Sequence, residues 1–162
     1  MKFCPECGSS LTSKQVDDQQ RTYCPQPDCD FTLWDNPVPV VAAIVNYQDK
    51  ILLAQNSAWP AGRYSFITGY LERLEHPEAA ILREVKEELG LDAELDKFVG
   101  HFMFKENNQL LLVYSVVAQG TIELNHELND YKLFSIDELP DYLFSYPEFS
   151  QAVILKYLNP LT

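Results

Sequence analysis

The sequence predicts an α/β sandwich with a mixed sheet, preceded by a small N-terminal segment held by something other than a core. Three observations carry this prediction. Short β-like runs alternate with two amphipathic stretches long enough to be helices. One of those stretches, Arg83-Glu84-Val85-Lys86-Glu87-Glu88-Leu89-Gly90, crowds its acid together. All four cysteines fall before Trp34, in two short-spaced pairs.

The pairs are Cys4-Pro-Glu-Cys7-Gly and Cys24-Pro-Gln-Pro-Asp-Cys29, separated by sixteen residues. This spacing matches a structural zinc site, in which four thiolates close a tetrahedron. Gly8 suits the tight knuckle turn that such a pair makes. A segment this short buries little, so bound Zn²⁺ would supply its folding free energy. Two disulfides are the alternative; the chain runs from Met1-Lys2-Phe3 straight into Cys4 without an apolar signal region, which argues against them. Four thiolates leave no open coordination position, so the zinc is structural. We therefore divide the chain into a ribbon, residues 1–34, and an α/β domain, residues 35–162.

Trp34-Asp-Asn-Pro37-Val-Pro39 is a proline-bearing connector. Val38 to Tyr47 and Lys50 to Gln55 read as strands joined by a Gln48-Asp49 turn. Ala58 to Arg63, with Pro60 and Gly62, reads as a loop, and Tyr64 to Thr68 as a short strand. The spacing predicts a helix over His76 to Leu89: Pro77 suits the first turn, Gly90 the end, and Ile81, Val85 and Leu89 form an apolar stripe. His76 is expected to cap it. Phe98 to Phe104 and Leu110 to Ala118 form a second hairpin about Glu106-Asn107-Asn108. Lys132 to Ser135 is another strand, and Glu148 to Leu158 a terminal helix.

At about 100° per residue, Glu84, Glu87 and Glu88 fall on neighbouring helix positions. Like charges so placed cost helix stability, and Lys86, Arg83 and the Arg83–Glu87 spacing offset only part. A crowded carboxylate set suits a hard divalent cation, which takes oxygen ligands; the bland reading is a solvated Glu-rich face. Net charge is −12 and pI about 4.5, which disfavours nonspecific nucleic-acid binding. A phosphorylated small molecule is not excluded, since a bound cation reverses the local sign. The longest apolar runs are far too short to span a bilayer, and a soluble cytoplasmic protein is the expectation.

The stretch from Gly69 through Glu75 and Arg83-Glu84-Val85-Lys86-Glu87-Glu88-Leu89-Gly90-Leu91 resembles the Nudix box at every fixed position, residues 69–91. The resemblance extends over about Pro37 to Pro160 and implies a Nudix-like α/β/α sandwich. A zinc ribbon joined through Asn-Pro-x-Pro to such a domain is similar to the NADH and ADP-ribose pyrophosphatase branch of the Nudix hydrolase superfamily. That branch carries a Ser-Gln-Pro-Trp motif after the box. Here the region reads Val99-Gly100-His101-Phe102-Met103-Phe104, which tilts the expectation from NADH toward ADP-ribose or FAD-like substrates.

The resemblance implies a pyrophosphatase cleaving a nucleoside diphosphate linked to another moiety, with Mg²⁺ or Mn²⁺ as catalytic cofactor. Glu84 and Glu88 match the box's metal-ligand positions. Glu87 is a ligand or the base that orients the attacking water. Glu127 takes the position of a further metal-ligating Glu, and Thr68 that of a residue offering its backbone carbonyl to a metal. Arg83 stands in the catalytic set, or pairs with Glu75 to fix the loop–helix–loop; Gly69 and Gly90 shape the box. Glu72 is an additional acid in that loop. Phe66, Tyr70, Phe102 and Phe104 are candidates for stacking on a base. His101 and His126 read as ordinary surface or strand residues. Homodimers are common among relatives.

Two other classes fit the sequence less well. A non-catalytic nucleotide sensor has no need of a full hydrolytic ligand set. A zinc-ribbon nucleic-acid binder is disfavoured because Lys2, Lys14 and Arg21 face Glu6, Asp17, Asp18, Asp28 and Asp30.

Overall fold

The computed structural model describes residues 1–142 and 144–159; the expected domain end at residue 162, and Pro160, lie outside them. The chain divides into two compact units, Met1–Asn36 and Pro37–Thr162.

The first unit is a three-stranded antiparallel sheet of β1 (Thr12–Val16), β2 (Gln19–Tyr23) and β3 (Thr32–Leu33). Asp17 and Asp18, with φ of 43° and 47°, make the tight turn between β1 and β2. Of its described residues only Cys4 and Cys24 are buried, so apolar burial does little to hold this sheet. The polar sequence of β1, Thr-Ser-Lys-Gln-Val, hid these strands from pattern reading.

In the second unit β4 (Val38–Tyr47) is the central strand, followed by β5 (Lys50–Asn56), β6 (Ile67–Tyr70), α1 (Pro77–Leu89), β7 (Asp92–Phe104), β8 (Gln109–Gln119), β9 (Leu128–Phe134) and α2 (Pro147–Leu158). The mixed sheet runs β7-β8-β4-β5-β9, with β4 and β8 parallel and the other pairs antiparallel. β4 is covered on both faces, which explains its continuous apolar run. Val41, Ala43 and Val45 pack with Ile81, Val85 and Leu89 of α1. Val40, Ala42 and Ile44 pack with Val153 and Ile154 of α2.

β4 also splits its pairing. Val45–Tyr47 bond to β5, whereas Val40–Ala43 bond to β6. The expected strand from Tyr64 is therefore shorter and later. Ser65 exchanges hydrogen bonds with Ala54 of β5 at 2.9 and 3.0 Å, and pairing with β4 begins only at Ile67. Similarly β7 starts at Asp92 rather than Phe98. Its first residues are charged and exposed, but they pair with β8, and two register shifts break their alternation. β9 begins at Leu128, before the expected Lys132, because the polar Leu128–Tyr131 bonds to β5. Among the described residues no helix is long and apolar enough to cross a membrane.

Leu89 anchors α1 in the core and is fully buried. Leu89→Ala is expected to cost about 2–5 kcal/mol in urea unfolding, from lost burial plus the cavity left behind.

Candidate active site

Helix α1 opens at Pro77, and His76 sits at the N-cap without a side-chain capping bond, contrary to the capping role expected for it. Its imidazole is a poor mimic of the short oxygen-bearing side chains that reach back to the first turn. The C-terminus ends in Gly90, with φ of 72°, whose N–H donates to the Lys86 carbonyl. The last helical carbonyls still need donors. Asn125 N–H supplies one to Glu88 O at 3.1 Å, and Glu123 N–H another to Leu89 O at 2.8 Å. The loop that completes the helix also carries Glu127. Its N–H bonds to Asn125 Oδ1 at 2.9 Å, and its carbonyl accepts Ser57 N–H at 2.7 Å.

Arg83 ties the preceding loop to the helix. Its Nε and Nη2 donate to the two carboxylate oxygens of Glu75 at 2.8 and 2.9 Å. Nη2 also reaches Tyr70 O at 3.1 Å, and Nη1 reaches Glu84 Oε1 at 2.7 Å and Glu87 Oε2 at 3.1 Å. Glu75 is further fixed by Glu72 N–H at 3.0 Å. Gly69 passes so close to Glu84 that a Cβ there would lie 1.9 Å from the Glu84 carboxyl carbon. Any side chain at Gly69 would displace that carboxylate.

The electrostatics are unbalanced around one residue. Glu88 is 6% exposed, and among the described residues no donor bonds to its carboxylate. Burial first, then the charges of Glu84, Glu127 and Glu87, push it up to about 8. Glu84 is raised as well, chiefly by burial, despite its bond to Arg83. By contrast Glu75 is pulled down to about 2, first by the Arg83 hydrogen bonds and then by the Glu72 backbone. An all-oxygen acidic set, with Glu88 buried, Glu84 half-buried and a single Arg83 shared between Glu84 and Glu87, fits a hard divalent cation.

These groups line one cleft of about 450 Å³. It gathers Glu84, Glu87, Glu88, Glu127, Arg83, Thr68, Gly69, Tyr70 and Phe104, together with Glu72. Phe66 and Phe102 are not brought to it. Phe66 is 2% exposed and packs on Phe144 and Phe149 in the α2-side core. Phe102 lines a neighbouring cavity instead. Phe102 and Phe104 are two residues apart on the same face of β7, and only Phe104, at the strand's end, lies far enough along it to reach the cleft. Trp59 and Tyr146 do line it and were missed. An aromatic in a Pro-Gly loop, and another just before the helix-opening Pro147, were the signals available.

The NUDIX domain family matches residues 36–154. The chain belongs to that family. The NUDIX chain is 33% identical over 145 residues to the NAD-capped RNA hydrolase NudC of Vibrio atlanticus, covering 87% of itself and 52% of the relative. It is 31% identical to the Pseudomonas putida protein of that name, covering 86% and 50%. The chain thus spans about half the length of these curated relatives. A NUDIX hydrolase from Nitrosomonas europaea superimposes with a TM-score of 0.80 at 22% identity, over 96% of this chain and 89% of that one. An ADP-ribose pyrophosphatase from Streptococcus suis superimposes at 0.60 and 25% identity, over 78% and 96%.

Ahead of the NUDIX domain, the four cysteine sulfurs all lie within 4.8 Å of one another. Cys4–Cys29 and Cys7–Cys24 are 3.7 and 3.5 Å apart. A disulfide is about 2.05 Å, whereas the edge of a tetrahedron with Zn–S of about 2.3 Å is about 3.8 Å. The cluster fits zinc. Cys7 is lowered to about 6, first by the Ser9 side chain, then by its backbone and Cys24, whereas Cys24 and Cys29 are raised, the Gln26 and Phe31 backbone bonds being outweighed by burial and the neighbouring thiols.

Glu75 ionises far below its ordinary value in the folded NUDIX domain. Its contribution to stability is full above about pH 4.5 and is lost as pH falls toward about 2. Glu75→Gln is expected to lower the urea midpoint at pH 7 and to flatten its decline between pH 4.5 and 2.

Proposed function

We propose that this chain hydrolyses the diphosphate bond of a nucleoside diphosphate joined to a second moiety, with divalent cations as cofactor. The observation that carries the reading is the buried Glu88 carboxylate, without a donor, among Glu84, Glu87 and Glu127 in an open cleft. Left alone, such a group only destabilises the fold. A cation site makes sense of it.

Glu84 and Glu88 would hold the cation, with Glu87, Glu127 and the Thr68 carbonyl as further oxygen donors. Bound Mg²⁺ or Mn²⁺ supplies neutralisation of the diphosphate oxygens and lowers the pKa of coordinated water. Glu87 is exposed and, among the described residues, bonded only to Arg83, which leaves it free to act as a ligand or to take the proton of the attacking water. The water oxygen bonds to phosphorus as the bridging P–O bond breaks, leaving a nucleoside monophosphate and a second phosphorylated product. Arg83 keeps Glu84 and Glu87 in register with the Gly69 loop, so catalysis rests on positioning and charge stabilisation.

The names of the relatives, NAD-capped RNA hydrolase and ADP-ribose pyrophosphatase, share an adenosine diphosphate unit joined to a ribose-bearing group. That unit is the substrate class we favour: ADP-ribose, NADH, NAD⁺ or an FAD-like dinucleotide. The net charge of −12 opposes a polyanionic RNA body, so the free dinucleotide is preferred over a capped transcript. The N-terminal unit would carry Zn²⁺ as a structural ion.

The deciding experiment incubates the protein and Mg²⁺ or Mn²⁺ with ADP-ribose, NADH, NAD⁺, FAD and an NAD-capped oligonucleotide, reading products by mass spectrometry. AMP plus a second phosphorylated product is expected. Glu87→Gln and Glu88→Gln should each lower turnover by about two or more orders of magnitude, and near-normal activity in both would refute the assignment. Glu88→Gln should also raise the melting temperature of the metal-free protein at pH 7, because burial disfavours the ionised carboxylate that the unfolded chain carries freely above about pH 4.5. Cys4→Ser should reduce bound zinc and destabilise the N-terminal unit while leaving the cleavage chemistry intact. Loss of turnover on removing zinc from still-folded protein at saturating Mg²⁺ would overturn that division of labour.

A further inference from the structure

Glu127 reaches the cleft from a strand end that the sheet alone does not fix. The β5–β9 ladder runs in register from Ile51–Phe134 to Gln55–Asp130 and then slips, Asn56 pairing with Leu128 and passing over Asn129. An irregularity of this kind re-aims the side chains beyond it, and Glu127 is the next residue out. Other contacts have to set its direction.

The loop that leaves β5, residues 57–64, supplies them at both of its ends. At the near end Ser57 N–H donates to the Glu127 carbonyl at 2.7 Å. At the far end the Tyr64 hydroxyl donates to Asp130 Oδ2. Lys132, two residues along β9 and so on the same face as Asp130, places its Nζ 4.5 Å from the Tyr64 ring centroid. Tyr64 is 3% exposed. Its phenol is pushed up to about 12, first by the Asp130 bond and then by burial, so the proton stays on the tyrosine and the carboxylate accepts it. The Tyr64 carbonyl accepts both Ser145 N–H and Ser145 Oγ–H, each at 3.3 Å, which anchors the residue from its other side.

Between those ends the loop is braced against β5. Gln55, buried and directly opposite Asp130, accepts Gly62 N–H at 3.3 Å and donates to Pro60 O at 3.5 Å. Asn56 accepts Ala58 N–H on Oδ1 at 2.9 Å and Trp59 N–H on its carbonyl at 3.0 Å. A braced loop transmits position where a slack one would not. It therefore acts as a strap, fastened to residues 127 and 130 on either side of the slipped register.

We propose that Tyr64 and Asp130 are positioning residues for Glu127: their bond fixes the far end of the strap on β9, and the Ser57 end then holds Glu127 where its carboxylate joins Glu84 and Glu88 at one cation. The proposal rests on the reading of Glu127 as a cation ligand. Tyr64 and Asp130 do not themselves line the cleft, so their effect passes through Glu127 rather than through contact with substrate.

The test measures Mn²⁺ binding to the full-length protein from the electron paramagnetic resonance signal of free Mn²⁺, which reads affinity without turnover. Glu127→Gln is expected to weaken binding. Tyr64→Phe, which keeps the ring and loses the donor, and Asp130→Ala, which loses the acceptor, should each raise the Mn²⁺ Kd about tenfold. Asp130→Asn keeps an acceptor oxygen and should stay within about twofold of the unsubstituted protein. In a Glu127→Gln background Tyr64→Phe and Asp130→Ala should add little, because the carboxylate they position is gone. Circular dichroism checks that each variant is folded; Asp130 is exposed, so its two variants decide the matter if Tyr64→Phe does not fold. An unaltered Kd in folded Asp130→Ala, an Asp130→Asn as weak as Asp130→Ala, or a loss that persists in full in the Glu127→Gln background would overturn the clasp. Glu127→Gln that binds Mn²⁺ like the unsubstituted protein would overturn the ligand reading of Glu127, and the clasp's role with it. Failure of the hydrolase reading shows separately, as no cleavage of any diphosphate at saturating Mn²⁺, and the binding series still decides the clasp.

Discussion

Arg83 has five N–H donors, and every one is used within a single loop–helix junction. Two go to Glu75, one to the Tyr70 carbonyl, one to Glu84 and one to Glu87. That fork converts a flexible acidic loop and a charged helix into one rigid piece. Without it, residues 71–76, which lead from β6 into α1, would lose their tie to the helix, and Glu84 would lose the donor that holds its carboxylate. A lysine could not replace it, since a point charge lacks the planar geometry that engages both oxygens of Glu75 and a carbonyl at once.

The same junction shows why the carboxylates crowd. Arg83 neutralises Glu75 and shares itself between Glu84 and Glu87, but it reaches nothing of Glu88. The stripe Ile81, Val85 and Leu89 must face the core, and Glu88 lies beside that stripe on the helix. The packing that stabilises α1 therefore drags one carboxylate out of water. The local interactions conflict with the global fold most strongly at Glu88 and also at Glu84, and such conflict is the mark of a functional position.

Much of this was legible in the sequence. Pro77 and Gly90 bracketed α1 because their backbone constraints act locally, and the apolar stripe fixed its buried face. The acid set, Arg83 and Glu75 are close in sequence, so helical geometry alone brought them near. Glu127 is different. It reaches the cleft because Asn125 and Glu123 satisfy the last carbonyls of α1, a long-range capping that no pattern reports. Trp59 and Tyr146 escaped for a related reason. They belong to loops, where no period constrains direction, and their meeting depends on how β4 divides its edge between β5 and β6. Phe66 misled because it sits just before β6, where the chain passes from the Ser65 bridge to the first β4 pairing at Ile67.

That division of β4 is also what makes room for a cleft. Were β5 to pair along the whole of β4, β6 would have no edge to occupy, and Gly69 could not be delivered to α1. By ending its pairing at Val45, β5 leaves Val40–Ala43 to β6. Residues 57–64 then have to leave the β5 edge and return to the β4 edge, and the loop they form carries Trp59. One split in strand pairing thus places the glycine against the carboxylates and the tryptophan in the same cleft. The acidic and aromatic characters of that cleft are two consequences of a single backbone decision.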